Sequence, residues 1–142
     1  MSTAIDTNIL VDLLAGEDFG AGEAARALDA LHQRGALVIC GVVYAELLAY
    51  PGRTDEEVAA VLDAAGIRVD WDLGPSVWRS AGRAYAQYAC RRRQARTAVP
   101  RRLLADFVIG AHALTAGALL TRDLGIYRAS FPELAVWAPR DV

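Results

Sequence analysis

The sequence contains no lysine; all fifteen of its basic residues are arginine. That absence removes several chemistries. A P-loop nucleoside triphosphatase needs a lysine on the phosphates, and Schiff-base catalysis needs a lysine amine. Phosphatases of the haloacid dehalogenase type also place an aspartate after an early strand, but they add a lysine and a DxD pair. Here the segment reads Asp6-Thr7-Asn8. Cysteine is scarce: Cys40 and Cys90 lie far apart and lack metal-ligand spacing, so both are expected to be small core residues. No cysteine–histidine cluster exists to hold zinc. No apolar run approaches the roughly 20 residues needed to cross a bilayer, so no membrane association is expected. The first residues show no basic stretch and no cleavage pattern, so no signal peptide is expected. With no disulfide framework either, the expected compartment is the cytoplasm.

What is present is ample apolar material. The chain has 142 residues, 54% of them hydrophobic, and a net charge of -2; its mean hydropathy is +0.22. This fits one domain over residues 1–142 with a substantial core, and it argues against disorder.

No repeat or low-complexity tract interrupts the chain. Strands are predicted near 2–5, 36–40, 67–71, 118–121 and 134–138. Helices are predicted near 8–15, 21–34, 42–50, 54–65, 75–93, 103–116 and 123–128. Gly16, Gly35, Gly66 and Gly117 serve as stops, Thr54 as an N-cap, and Pro75 lies in a first turn. Short apolar strands alternating with helices argue an α/β fold. The expected architecture is a three-layer sandwich, with a mainly parallel sheet of about five short strands and helices on both faces. In such sheets the active site gathers at the carboxyl ends of the strands.

Four acids sit where an acid is out of place. Asp6 follows MSTAI, Glu46 interrupts CGVVYAELLAY, Asp106 interrupts LLADFVIGAHAL, and Asp123 closes ALLTRD. Burying an unpaired carboxylate costs at least several kcal/mol. Either each acid faces water or caps a helix separately, as Asp106 and Asp123 could, or the fold gathers them around a cation. Two unit charges ~4 Å apart repel by about 4 kcal/mol at an effective dielectric near 20. Gathered acids therefore need a cation, or some must hold a proton. Carboxylate oxygens suit Mg²⁺ or Mn²⁺, and one or two such ions suit phosphodiester hydrolysis.

The segments IDTNILVDLL, VVYAELL and ADFVIGAHAL…GALLTRDLGIYRASFPELAV resemble PIN-domain ribonucleases, and specifically the VapC toxins of bacterial toxin–antitoxin systems. Order, spacing and nearly the whole length agree. The resemblance implies a PIN fold and a Mg²⁺- or Mn²⁺-dependent endoribonuclease acting on RNA. It also implies a cognate VapB-type antitoxin and a homodimer. By position, Asp6, Glu46, Asp106 and Asp123 match the family's four acids, Asn8 its second polar residue, and Thr121 the Thr/Ser before the last acid. Asp6, Asp106 and Asp123 are then expected to hold metal directly or through water. Glu46 is expected to ligate or orient the attacking water, with Asn8 and Thr121 orienting carboxylates. Two alternatives stay open: a free-standing PIN nuclease in RNA processing, and a non-catalytic RNA- or protein-binding module.

Other residues carry weaker expectations. The stretch CRRRQARTAVPRR places Arg91, Arg92, Arg93 and Arg96 beside the Asp106 helix. They suit either a solvated helix end or an RNA-backbone clamp. Asp12 is expected to be solvated or paired, and His32 and His112 to be structural. Trp71, Trp78 and Trp137 are expected to anchor the core or an interface. Tyr44, Leu47, Leu48 and Tyr50 could form an apolar groove which, by resemblance, is where an antitoxin would dock.

Overall fold

A computed structural model describes residues 1–16, 20–96, 98 and 101–142. Thr97, Val99 and Pro100 of the basic, proline-containing stretch lie outside the described residues. Five strands form one sheet: β1 (Ser2–Ile5), β2 (Ala36–Cys40), β3 (Ile67–Asp70), β4 (Gly117–Leu120) and β5 (Ala135–Trp137). The order is β3-β2-β1-β4-β5, and every pairing is parallel. Strands buried on both faces need continuous apolar runs, and β1, β2 and β4 have them: Ala4–Ile5, 37–40 and 118–120 are all buried.

The helices are α1 (Thr7–Ala15), α2 (Ala21–His32), α3 (Gly41–Leu48), α4 (Asp55–Ala64), α5 (Gly74–Gln94), α6 (Leu104–Ala116) and α7 (Leu124–Ser130). From β1 the chain steps outward to β2 and β3, then returns to the other side of β1 for β4 and β5. Right-handed crossovers assign α1–α4 to one face and α5–α7 to the other. Helix α1 packs against α2 and α3, and α6 against α5, α7 and the strands β1, β2 and β4, while α3 reaches across the carboxyl end of the sheet to touch α6 as well.

Local chemistry accounts for the element ends. Thr54 Oγ1 accepts from Glu57 N at 3.2 Å, and Asp55, Glu56 and Glu57 meet the positive end of α4. Helix α6 is buried continuously from Phe107 to Ala113, so it is the central helix of its layer. Gly110 is obligatory there, because a Cβ would collide with the Phe131 ring. Gly117 closes α6 at φ +116, a left-handed cap open to glycine.

One expectation narrows and one needs correction. Trp71 and Trp78 are 66% and 52% exposed, which leaves only the interface half of the core-or-interface expectation. Trp71 lies at the end of β3, where no strand continues to cover it, and packs edge-on against Tyr44 with ring centroids 4.9 Å apart. Trp78 follows Val77 in α5 and points off that helix's buried stripe of Val77, Ala81, Ala84 and Tyr88. Leu47 is fully buried and cannot line a groove with Tyr44 and Leu48. Cys40 is buried, as expected, whereas Cys90 is only half-buried.

Candidate active site

The sheet reverses direction of travel between β1 and β4, and ligand crevices in open α/β sheets form at such a point. Ile5 is in register with Leu120, and Asp6 N donates to Leu120 O at 3.0 Å. The next residues on the two strands are therefore Asp6 and Thr121, side by side despite 115 residues between them. Glu46 reaches the same place from α3, and Asp106 from the first turn of α6. Asp6, Glu46, Asp106 and Asp123 all line one open cleft, together with Asn8.

A hydrogen-bond network fixes the cleft floor. Asp6 Oδ1 accepts from Thr7 N at 2.7 Å. Its Oδ2 accepts from Thr121 Oγ1 at 2.7 Å and from Asn8 Nδ2 at 3.2 Å. Asn8 Oδ1 accepts from Arg122 N, and Thr121 Oγ1 accepts from Asp123 N at 3.0 Å. Asn8 and Thr121 thus bridge the ends of β1 and β4. Thr7 Oγ1 donates to Glu46 Oε1 at 2.6 Å. Arg102 reaches Asp123 Oδ2 at 2.5 Å.

The electrostatics are those of a site short of positive charge. Burial pushes the Asp6 carboxyl up to about 6, against the lowering effect of the Thr121 hydroxyl, the nearby Tyr127 hydroxyl and the Thr7 backbone; the Asp106 charge adds to the rise. Asp106 is also raised, first by burial, with Arg102 and the Leu103 backbone opposing and Glu46 and Asp123 reinforcing. Beneath them lies Tyr127, fully buried, its hydroxyl facing Asp6 without completing a well-formed hydrogen bond. Burial and the charges of Asp6, Asp106 and Asp123 hold that phenol far above its usual range.

Leu103, not Asp106, is the N-cap of α6, whereas Asp123 does occupy the N-cap position of α7, without a side-chain capping bond. The donor chemistry fits a hard divalent cation: carboxylate oxygens, flanking hydroxyls, and two acids, Asp6 and Asp106, whose carboxyls are raised above their usual range. The geometry is not closed, since among the described residues no three acids converge as a ligand set. Asp123 is turned to Arg102 instead.

The remaining candidates stand apart. Asp12 pairs with Arg122 at 2.8 Å, as expected of a pairing residue. His112 is buried with Nε2 2.9 Å from Asp70 Oδ2, a structural pair. Arg91, Arg92, Arg93 and Arg96 are exposed at the end of α5 and do not line the acidic cleft. Thr7 and Tyr127 were not anticipated, although Thr7 is the middle residue of Asp6-Thr7-Asn8; Arg102 stood out only as part of the basic stretch, not as a partner of Asp123.

The family profile of the PIN domain matches residues 3–132. The chain belongs to the PIN domain family. No curated protein matches it. Among solved structures it is similar to a toxin–antitoxin complex from Klebsiella pneumoniae, with 21% identity and a TM-score of 0.67 over 99% of both chains. It is also similar to VapBC2 from Rickettsia felis, bound to a DNA fragment from its promoter, with 18% identity, a TM-score of 0.66, and coverage of 97% of this chain and 98% of that one. VapBC-1 from nontypeable Haemophilus influenzae aligns at 18% identity and a TM-score of 0.66 over 99% of both chains.

Proposed function

We propose that the chain is a metal-dependent endoribonuclease and the toxin of a VapBC-type pair. The observation that carries the reading is the gathering of Asp6, Glu46, Asp106 and Asp123 into one cleft at the sheet's switch point. Membership of the PIN domain family, which is of nuclease type and generally uses divalent metals, supports it. The similar solved structures include toxin–antitoxin assemblies, which supports a small VapB-type antitoxin as partner. A second copy of the chain is the expected homodimer partner.

Asp6, Asp106 and Asp123 would hold one or two Mg²⁺ or Mn²⁺ ions, with Glu46 as a further ligand. The ion supplies charge neutralisation at the phosphate and activation of water. The protein's own part is orientation. Asn8 and Thr121 hold Asp6 Oδ2 with two donors, which leaves the carboxylate little freedom. Thr7 holds one oxygen of Glu46 and leaves the other to align the attacking water. Arg102 must leave Asp123 when a cation binds, which frees a guanidinium beside the substrate's phosphates.

The test is cleavage of a mixed structured-RNA pool by purified, antitoxin-free protein in Mn²⁺, Mg²⁺ or EDTA, beside an Asp6→Ala/Asp106→Ala variant. Cuts that need metal and vanish in the variant are expected. Folded protein that cuts nothing in any arm would favour a non-catalytic binding module. An adjacent reading frame for a DNA-binding antitoxin separates the toxin from a free-standing RNA-processing nuclease.

A further inference from the structure

A second recess lies between the last turns of α5 and residues 101–102, lined by Tyr85, Tyr88, Arg92, Arg93, Arg101 and Arg102. Its floor is aromatic. Tyr85 lies nearly parallel to Phe107, with centroids 5.1 Å apart and planes 27° apart, and Tyr88 meets the same ring at 5.3 Å. Phe107 is fully buried and Tyr88 nearly so, whereas Tyr85 is 37% exposed. The ring stack is therefore anchored in the core and ends on an open tyrosine at the surface. Its anchor, Phe107, immediately follows Asp106.

The walls are cationic. No acid lines the recess, and among the described residues Arg92, Arg93 and Arg101 make no ion pair. Tyr88 is bonded to the backbone of Arg102, whose N donates to the phenol oxygen at 2.5 Å. That bond fixes the wall to the floor. The Arg102 guanidinium then crosses to Asp123, so the recess opens beside the acidic cleft. A partly exposed tyrosine ring beside guanidinium groups that make no ion pair among the described residues suits a nucleotide, with its base on the exposed part of the ring and its phosphate on the arginines. An acidic peptide would use the arginines and leave the ring idle.

We propose that this recess is a subsite for one nucleotide of single-stranded RNA flanking the cleaved linkage. The base stacks on Tyr85, and its phosphate lies among Arg92, Arg93 and Arg101. RNA as the ligand rests on the proposed function; the recess itself rests on its own geometry.

The experiment measures binding of a labelled single-stranded RNA oligonucleotide to the full chain in EDTA, by fluorescence anisotropy, so that no cleavage is involved. Variants are Tyr85→Ala, Tyr85→Trp and Arg92→Ala/Arg93→Ala, each checked for an intact melting transition. Loss of stacking at Tyr85→Ala should weaken binding by about fivefold or more, and Tyr85→Trp should retain it. The double arginine variant should flatten the log–log salt dependence by about 0.7, the value for one phosphate contact on a single strand. Unchanged affinity and slope in both would overturn the subsite. Sensitivity to the arginines alone, or equal binding of polyglutamate, would overturn the nucleotide assignment. Tight RNA binding with no cutting under any metal would sink the nuclease reading and leave the subsite standing. Metal-dependent cutting with KM unchanged in Tyr85→Ala would do the reverse.

Discussion

Replacing Asp6 with asparagine should remove one large component of the pH dependence of stability. Asp6 is buried, and its carboxyl is raised from 3.8 to about 6. Between those values the folded chain binds a proton that the unfolded chain has lost, so stability falls as pH rises. Above pH 6 the penalty is complete. A rise of about two units corresponds to about 3 kcal/mol at about 1.4 kcal/mol per unit. The Asp6→Asn variant carries a separate, pH-independent cost of about 1–3 kcal/mol. Asp6 Oδ2 accepts from both Thr121 and Asn8, and an amide nitrogen in its place accepts from neither. The informative quantity is therefore the difference in Tm between variant and wild type, followed from pH 4 to pH 7.5 in EDTA. It should move by about 10 °C in favour of the variant, at roughly 3 °C per kcal/mol for a chain of this size. Saturating Mn²⁺ should abolish that movement, because the cation replaces the proton. A difference that stays constant across the range without metal would refute the desolvation argument. One that Mn²⁺ leaves untouched would count against Asp6 as a ligand.

Three further outcomes follow from other contacts. Asp70→Ala should cost about 1–3 kcal/mol at neutral pH, because buried His112 loses its partner. Burial raises the Asp70 carboxyl, but the bonds from His112 and Arg68 prevail and hold it below 3.8. The deficit should thus be full above pH 3.8 and shrink as pH falls through the lower folded value, as read by acid titration of Tm. Gly110→Ala should cost about 1–3 kcal/mol in urea unfolding through collision with Phe131. Adding Phe131→Leu should restore part of that loss, and strictly additive effects would contradict the collision. Tyr127→Phe should leave the melting temperature unchanged or slightly higher, since the buried hydroxyl completes no bond. A loss above about 1 kcal/mol would show that the hydroxyl is bonded to Asp6.

Much of this molecule is legible in its sequence. Glycine stops and short apolar runs placed every described strand and α-helix to within two residues, because those signals act over a few neighbouring positions. The four acids stood out because each breaks an apolar run, and they do share a cleft. Strand order was not legible, because it depends on which faces bury one another across the chain. The Thr7–Glu46 and Arg102–Asp123 contacts escaped for the same reason: partners 39 and 21 residues apart leave no periodic trace. The tryptophans stayed between core and interface because hydrophobicity alone does not say where a strand stops being covered, and Trp71 lies just past that point.

The pairing of β1 with β4 also sets when the cleft can exist during synthesis. β1 leaves the ribosome first and finds β2 early, but its other neighbour begins at Gly117. A nascent chain grown only to residue 116 already carries Asp6, Glu46 and Asp106. It lacks Thr121, the hydroxyl that binds Asp6, and the strand that aligns Asp6 with Asp123. Closing so long a loop is slow relative to forming local helices. Any activity of the acids acting together therefore waits until the last fifth of the chain has emerged and docked.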